Sequence, residues 1–316
     1  MKILIFDCDQ TVRSLFDAEL AGHTLVYVDG SVSQEILSAN SDAEAVSLFT
    51  ISSLKKEDIE RLPALKCVVA RSTGVDHIDI MAAKEKGVVV CNVPKYGART
   101  VAEFTFALML ALSRRVFDAF HQVRDNGLYK TSSLEGFDLY GKTLGVIGTG
   151  AIGGTVVSIA KGFGMQVCMF DIFPNQKLVD VSAQYVSIDE LFAQSDIITL
   201  HAPSTKENLH LLNTDTFSKM KKGVYIINTA RGDLIDTDAL VDALRSGQVG
   251  GAGLDVLEGE HQLKDEIKNH ALISMSNVIL TPHVAFFSHE AYQEILHTSL
   301  QNIRSFIAGT PTNVVQ

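Results

Sequence analysis

Short runs of branched apolar residues recur along this chain, and each is separated from the next by enough residues for an amphipathic helix. That rhythm constrains the fold more than any other feature. Parallel strands cannot be joined by a tight turn, because they need a crossover of a dozen or more residues, usually a helix. The runs are apolar throughout rather than alternating, as suits strands covered on both faces. A first series spans residues 2–6, 24–28, 45–49, 67–70 and 88–91. A second spans 143–147, 166–170, 197–200, 224–228, 251–254 and 278–280. Between the two lie a helix predicted over 100–115 and a polar stretch through Asp125-Asn126-Gly127. The pattern therefore predicts two α/β domains joined near residue 98. A last helix is expected over 288–308, with Ile295, Leu296, Leu300, Ile303, Phe306 and Ile307 at helical spacing and Gly309 and Pro311 ending it.

Length and charge narrow the function. A chain of 316 residues accommodates two cores. A formal charge of −10 argues against a nucleic-acid partner, which asks for a basic face. The longest apolar stretch, about residues 104–112, falls short of the roughly 20 residues that span a bilayer, and the N-terminal apolar run is too short for a signal peptide. Three of the four cysteines, Cys67, Cys91 and Cys168, fall in strand-like runs with no CxxC pair, while Cys8 stands apart. Buried free thiols fit a reducing cytoplasm. None of the histidines is spaced for a metal with a second His or Cys, so no metal is expected.

Residues 143–147 run into Gly148-Thr149-Gly150-Ala151-Ile152-Gly153, which opens an amphipathic segment at 154–163. Gly148 permits a tight turn, Gly150 lets the backbone approach a pyrophosphate, and Gly153 lets the helix pack close to the sheet. The helix N-terminus then offers unpaired N–H groups and a partial positive charge. Asp171 ends the next strand, 18 residues beyond Gly153. A carboxylate there accepts ribose hydroxyls and repels a 2′-phosphate, and Ile172 and Phe173 follow it where an NADP site would place Arg. The expected cofactor is NAD.

Three later strand ends carry polar groups: Asn228-Thr229-Ala230-Arg231-Gly232, Asp255-Val256-Leu257-Glu258-Gly259-Glu260, and Thr281-Pro282-His283. Ligands of open parallel sheets sit at such ends. Arg grips a carboxylate with two hydrogen bonds, His passes a proton to a carbonyl oxygen, and an acid beside the His orients it and favours its charged form. Glu260 suits that acid by its phase in Asp-x-x-x-x-Glu, although Glu258 is near and a solvated acidic run would look similar. His23 is expected to start a strand. His77, His121, His201, His210, His261, His270, His289 and His297 are read as structural or exposed.

With Ala70-Arg71-Ser72-Thr73-Gly74-Val75-Asp76, Asn92-Val93-Pro94-Lys95-Tyr96, Thr100-Val101-Ala102-Glu103 and Pro282-His283-Val284-Ala285-Phe286-Phe287, these segments make the chain resemble, nearly end to end, the D-isomer-specific 2-hydroxyacid dehydrogenases and their D-lactate dehydrogenase branch. The resemblance implies two Rossmann-like, doubly wound parallel-sheet domains. An NAD-binding domain over 99–286 would be inserted into a flavodoxin-like substrate domain of 1–98 plus 287–316, with homodimers forming through the NAD-binding domain. It implies that Arg231 binds the substrate carboxylate, that His283 is the acid/base and that Glu260 is its partner. Main chain at Thr73 and Gly74 would share the carboxylate, with Tyr96 and Phe286 lining the pocket. Ala151 and Ile152 would meet the pyrophosphate, and Ala202, Pro203 and Asn208 would flank the adenosine. Thr229, Ala230 and Asp255 would place the nicotinamide, with Thr100 nearby.

Two departures bear on the substrate. Phe104 stands where many members carry His, and Phe286-Phe287 stands where relatives often carry Tyr. The expected reaction is pyruvate to D-lactate with NADH, with reduction of another 2-oxo acid, phenylpyruvate or hydroxypyruvate, as one alternative. An NAD(H)-sensing scaffold resembling the family's co-repressors is the alternative from another class. Asp7-Cys8-Asp9-Gln10-Thr11 resembles a phosphatase nucleophile motif, but that reading leaves the glycine loop unexplained, and Asp7 is expected to end the first strand.

Overall fold

A computed structural model describes residues 1–260 and 264–315. The chain divides into two compact units, Met1–Tyr96 with Ser288–Gln316, and Gly97–Phe287.

In the first unit, β1 (Lys2–Ile5), β2 (Thr24–Tyr27), β3 (Ala45–Leu48), β4 (Cys67–Ala70) and β5 (Val89–Cys91) form a parallel sheet in the order β2-β1-β3-β4-β5. This is the flavodoxin-like order. The apolar runs are explained by burial on both faces. Ile3, Ile5, Cys67 and Val69 pack with Phe16 and with Leu296, Leu300 and Ile303 of the last helix, whereas Leu4, Val46, Val68 and Ala70 pack with Leu37, Ile59 and Leu62 on the other face. The last helix, His289–Ile307, is capped by the Ser288 hydroxyl, which accepts Ala291 N–H at 3.2 Å. Gly309, at φ +77°, turns the chain away from it.

Two small corrections concern this unit. His23 precedes β2 rather than starting it. Asp7 lies beyond the end of β1, in the left-handed region at φ +50°. Its carboxylate accepts Phe49 N–H at 2.9 Å and the Ser52 hydroxyl at 2.8 Å, tying the ends of β1 and β3 together. Burial pushes that carboxyl above the ordinary range. Asp9 caps the following helix through Val12 N–H at 2.8 Å. Both acids of the phosphatase-like motif are thus engaged in holding local structure.

In the second unit, β6 (Thr143–Ile147), β7 (Gln166–Phe170), β8 (Ala183–Tyr185), β9 (Ile197–Leu200), β10 (Val224–Asn228), β11 (Val249–Leu254) and β12 (Val278–Leu280) form a seven-stranded parallel sheet ordered β12-β11-β10-β9-β6-β7-β8. The order reverses between β6 and β9, the kind of switch point where dinucleotides bind.

Strand β8 was not expected. It has three residues on the sheet edge, and Gln184 between Ala183 and Tyr185 breaks any apolar run. The helix expected over 100–115 spans Ala98–Ser113, because Arg115 takes φ +50° and stops it. The stretch beyond, expected to be polar coil, begins with a second helix, Val116–Arg124, none of whose residues is buried. The segment expected at 154–163 is the helix Ala151–Gly162.

Candidate active site

In the second unit the glycine loop, Asp171, Arg231, Asp255 and His283 each follow the end of a strand. At β6 the glycine loop is set by sterics. A Cβ on Gly148, itself at φ +89°, would stand 2.7 Å from the His201 carbonyl and 2.8 Å from Ala202 N. A Cβ on Gly153 would stand 1.9 Å from Gly148 O. These two glycines let β6, β9 and the helix Ala151–Gly162 meet.

Gly150 differs. It is the N-cap of that helix with no side chain to cap it, and nothing lies within 4 Å of where its Cβ would be. Gly150 and Ala151 are exposed, so this helix start is open to solvent, which fits a pyrophosphate. Ala151 and Ile152 lie in that turn. Asp171 follows β7, and Ile172 and Phe173 beside it are exposed and bring no cation. Behind the loop, His201 Nε2 lies 2.9 Å from Thr199 Oγ1, and burial lowers the imidazole pKa to about 3, so it is neutral. The residues present fit NAD.

After β9 the chain runs through Ala202 and Pro203. Asn208 closes this loop on itself, donating from Nδ2 to Pro203 O at 2.8 Å and accepting Thr205 N–H at 2.7 Å.

The β10 end is held by Asn228, which is fully buried. Its Oδ1 accepts Ala230 N–H at 3.0 Å and its Nδ2 donates to Arg231 O at 2.8 Å. The Thr229 hydroxyl lies 2.9 Å from that of Thr105, in the helix that also carries Thr100. Arg231 is partly buried, and its Nη1 donates to Ala230 O at 2.7 Å. A Cβ on Gly232 would fall 2.0 Å from Leu257 C, so the Arg231 turn lies directly against the loop that follows β11. Sequence reasoning named Asn228 at this polar strand end but gave it no role. The available signal was a polar residue closing an otherwise apolar strand.

Asp255 and His283 are bound to each other's loops. The buried Asp255 carboxylate accepts the Thr281 hydroxyl at 2.5 Å, Val284 N–H at 3.0 Å and Ala285 N–H at 2.8 Å, while His283 N–H donates to Asp255 O at 2.8 Å. Burial raises the Asp255 carboxyl above the ordinary range. The Asp255 carboxylate, which the resemblance implies would help place the nicotinamide, shapes residues 281–285.

His283 itself sits at φ +54°, a sparsely populated conformation for a residue with a side chain. Its Nδ1 lies 2.5 Å from Glu260 Oε1, and Glu260 Oε2 accepts Leu257 N–H at 3.2 Å. Glu258 turns elsewhere. It takes His210 Nε2 at 2.6 Å and the Thr237 hydroxyl at 3.1 Å, and this bond holds the His210 imidazole above its ordinary range. His261 lies outside the described residues.

Phe286 meets Phe287 edge-on at 5.7 Å. Thr73, Gly74 and Tyr96 belong to the first unit. There the Thr73 hydroxyl donates to Val93 O at 2.8 Å, Asn92 Nδ2 to Thr73 O at 2.7 Å, and the Ser72 hydroxyl to Gly74 O at 2.7 Å.

A sequence profile of the D-isomer-specific 2-hydroxyacid dehydrogenases, NAD-binding domain, matches residues 106–285. The chain belongs to that family. It is 36% identical to the D-lactate dehydrogenase of Escherichia coli over 98% of its own length and 98% of that protein's. It is 37% identical to an aromatic 2-oxoacid reductase of Clostridium sporogenes over 94% of this chain and 93% of that one. Among solved structures, D-lactate dehydrogenase from Aquifex aeolicus, complexed with NAD and lactic acid, superposes with a TM-score of 0.91 at 35% identity, covering 98% of this chain and 96% of that one. This dehydrogenase is accordingly an NAD-dependent oxidoreductase. Neither the co-repressor-like scaffold nor the phosphatase reading survives that conclusion. Among the described residues, no helix is long and apolar enough to cross a membrane.

Proposed function

We propose that this enzyme reduces pyruvate to D-lactate, with His283 as proton donor, Glu260 as its anchor and Arg231 as the carboxylate clamp. The observation that carries the chemistry is the His283–Glu260 hydrogen bond. It commits Nδ1 to the carboxylate and leaves Nε2, on the far side of the ring, to hold the transferable proton. NADH supplies the hydride when bound. The residues then divide the work. The first turn of Ala151–Gly162 binds phosphate, Asp171 accepts the ribose, and Asn228 and Asp255 hold the Arg231 and His283 loops in shape.

Pyruvate is favoured over larger 2-oxo acids because D-lactate dehydrogenases are among the relatives matched end to end. The aromatic 2-oxoacid reductases of similar identity make phenylpyruvate the competitor. NADH oxidation across pyruvate, 2-oxoisocaproate, phenylpyruvate, hydroxypyruvate and glyoxylate decides the matter. Pyruvate is expected to lead phenylpyruvate in kcat/KM by about tenfold or more, the discrimination that pocket size provides. The reverse order would move the substrate to the aromatic class.

The enzyme is further proposed to act as a homodimer through the NAD-binding unit. The support is the helix Val116–Arg124, which buries none of its residues and exposes Val116, Phe117, Phe120 and Val123. An apolar face of that kind is what a second copy covers. Sedimentation is expected to show a dimer that Phe117→Asp with Phe120→Asp converts to monomer, and a monomeric wild type would refute it.

A further inference from the structure

Asp171 is the end of a chain of hydrogen bonds. Its Oδ2 accepts twice from one residue, from Thr149 N–H at 2.5 Å and from the Thr149 hydroxyl at 3.0 Å. Its Oδ1 accepts Phe173 N–H at 2.8 Å. Thr149 Oγ1 lies 2.7 Å from the Tyr185 hydroxyl, and Tyr185 accepts Asn175 N–H at 2.8 Å.

Counting protons fixes the direction of each bond. An ionised carboxylate has no proton to give, so the Thr149 hydroxyl proton points to Asp171. A hydroxyl carries one proton, so Thr149 must accept from Tyr185. Asn175 N–H can only donate. The other partner open to the Tyr185 proton, Asn175 O, is 3.5 Å away, at the limit of a hydrogen bond. The chain therefore runs one way, from Asn175 N–H through Tyr185 O–H and Thr149 O–H to the carboxylate, and each bond polarises the next.

Counting lone pairs shows what this does to Asp171. Oδ2 is filled by Thr149. Oδ1 keeps one acceptor site beside Phe173 N–H. The carboxylate is thus held in a single orientation with one outward acceptor. Thr149 lies inside the glycine loop and is only 3% exposed. Tyr185 lies on β8, in register with Met169 of β7. One phenol on the edge strand ties together the glycine loop, the acid and the segment after it.

We propose that Tyr185 is a positioning residue for the cofactor. Through Thr149 it fixes the Asp171 carboxylate in the orientation that accepts a ribose hydroxyl and turns away a 2′-phosphate. This rests on Asp171 being the ribose acceptor, and the test separates the two statements.

Dissociation constants for NADH and NADPH are measured by fluorescence titration. Tyr185→Phe, which deletes only the hydroxyl, is expected to weaken NADH about three- to tenfold and to lower the NADH-over-NADPH preference, as the loss of one hydrogen bond does. Thr149→Val breaks the same chain from its other end and carries the test should Tyr185→Phe fold poorly. Thr149→Ser, which keeps the hydroxyl, is expected to restore the preference that Thr149→Val loses. In an Asp171→Ala background, Tyr185→Phe is expected to add nothing. If Asp171→Ala leaves NADH affinity and preference unchanged, the ribose reading fails and the proposal with it. If Asp171→Ala weakens NADH but Tyr185→Phe does not, or if their effects simply add, the ribose reading stands and the positioning role is overturned.

Discussion

His283→Ala is expected to lower kcat for 2-oxo acid reduction by about 100-fold or more, the loss that follows removal of a positioned acid/base. The structure gives reasons beyond residue type. Nδ1 is committed to Glu260 at 2.5 Å, and the backbone is held at φ +54° by bonds to Asp255 O and Thr281 O. A residue kept in so uncommon a backbone conformation by main-chain bonds to Asp255 O and Thr281 O is aimed rather than merely accommodated. Glu260→Gln should fall between His283→Ala and wild type, because it keeps an acceptor for Nδ1–H but loses the carboxylate charge beside the ring. Steady-state NADH oxidation, read against an NADH titration to show that cofactor still binds, makes the comparison. If His283→Ala keeps more than about a tenth of kcat, the proton comes from elsewhere and the assignment of His283 fails.

What was legible in the amino-acid order depended on how local its cause was. Strands β3, β4, β9 and β10 are buried on both faces, so burial imposes mainly apolar runs, interrupted only by Ser47, Thr199 and Asn228, that are visible without a structure. Strand β8 lies at the edge and is three residues long, so no such run marks it. The helix Val116–Arg124 does carry apolar residues at helical spacing. None of them is buried within the chain, and the surrounding charges hid them. At the site, the parallel sheet itself made candidates visible, because it delivers every strand end to one edge. The choice between Glu258 and Glu260 was different. Two acids two residues apart are told apart only by where a loop turns, and here one meets His210 while the other meets His283. Asn228 was named without a role, and Tyr185 went unread, for the same reason. Their partners are distant in sequence or main-chain atoms, and neither residue type announces its role.

Arg231 should matter most when the substrate carries a carboxylate. Two charge-assisted hydrogen bonds at about 1.5–3 kcal/mol each correspond to a loss of about 10²- to 10⁴-fold in kcat/KM for pyruvate when Arg231 becomes Ala. Arg231→Lys should recover little of it, because an ammonium keeps the charge but not the planar fork that matches a carboxylate. The loss should fall on the 2-oxo acid and spare NADH affinity. The Arg231 turn is shaped by main chain and by Asn228, whose bonds to Ala230 N–H and Arg231 O do not involve the guanidinium. Methyl pyruvate supplies the internal control. It has the same carbonyl without the carboxylate, so wild type should handle it poorly and Arg231→Ala should handle it no worse than wild type does. Equal losses on pyruvate and its methyl ester would mean that Arg231 supports the fold of the β10 loop rather than the carboxylate. An unchanged KM and kcat for pyruvate would remove it from the site altogether. The outcome also bears on Asn228. If Arg231 clamps the carboxylate, Asn228→Ala should mimic part of its loss without removing any charge, because the buried amide is what points the Arg231 turn.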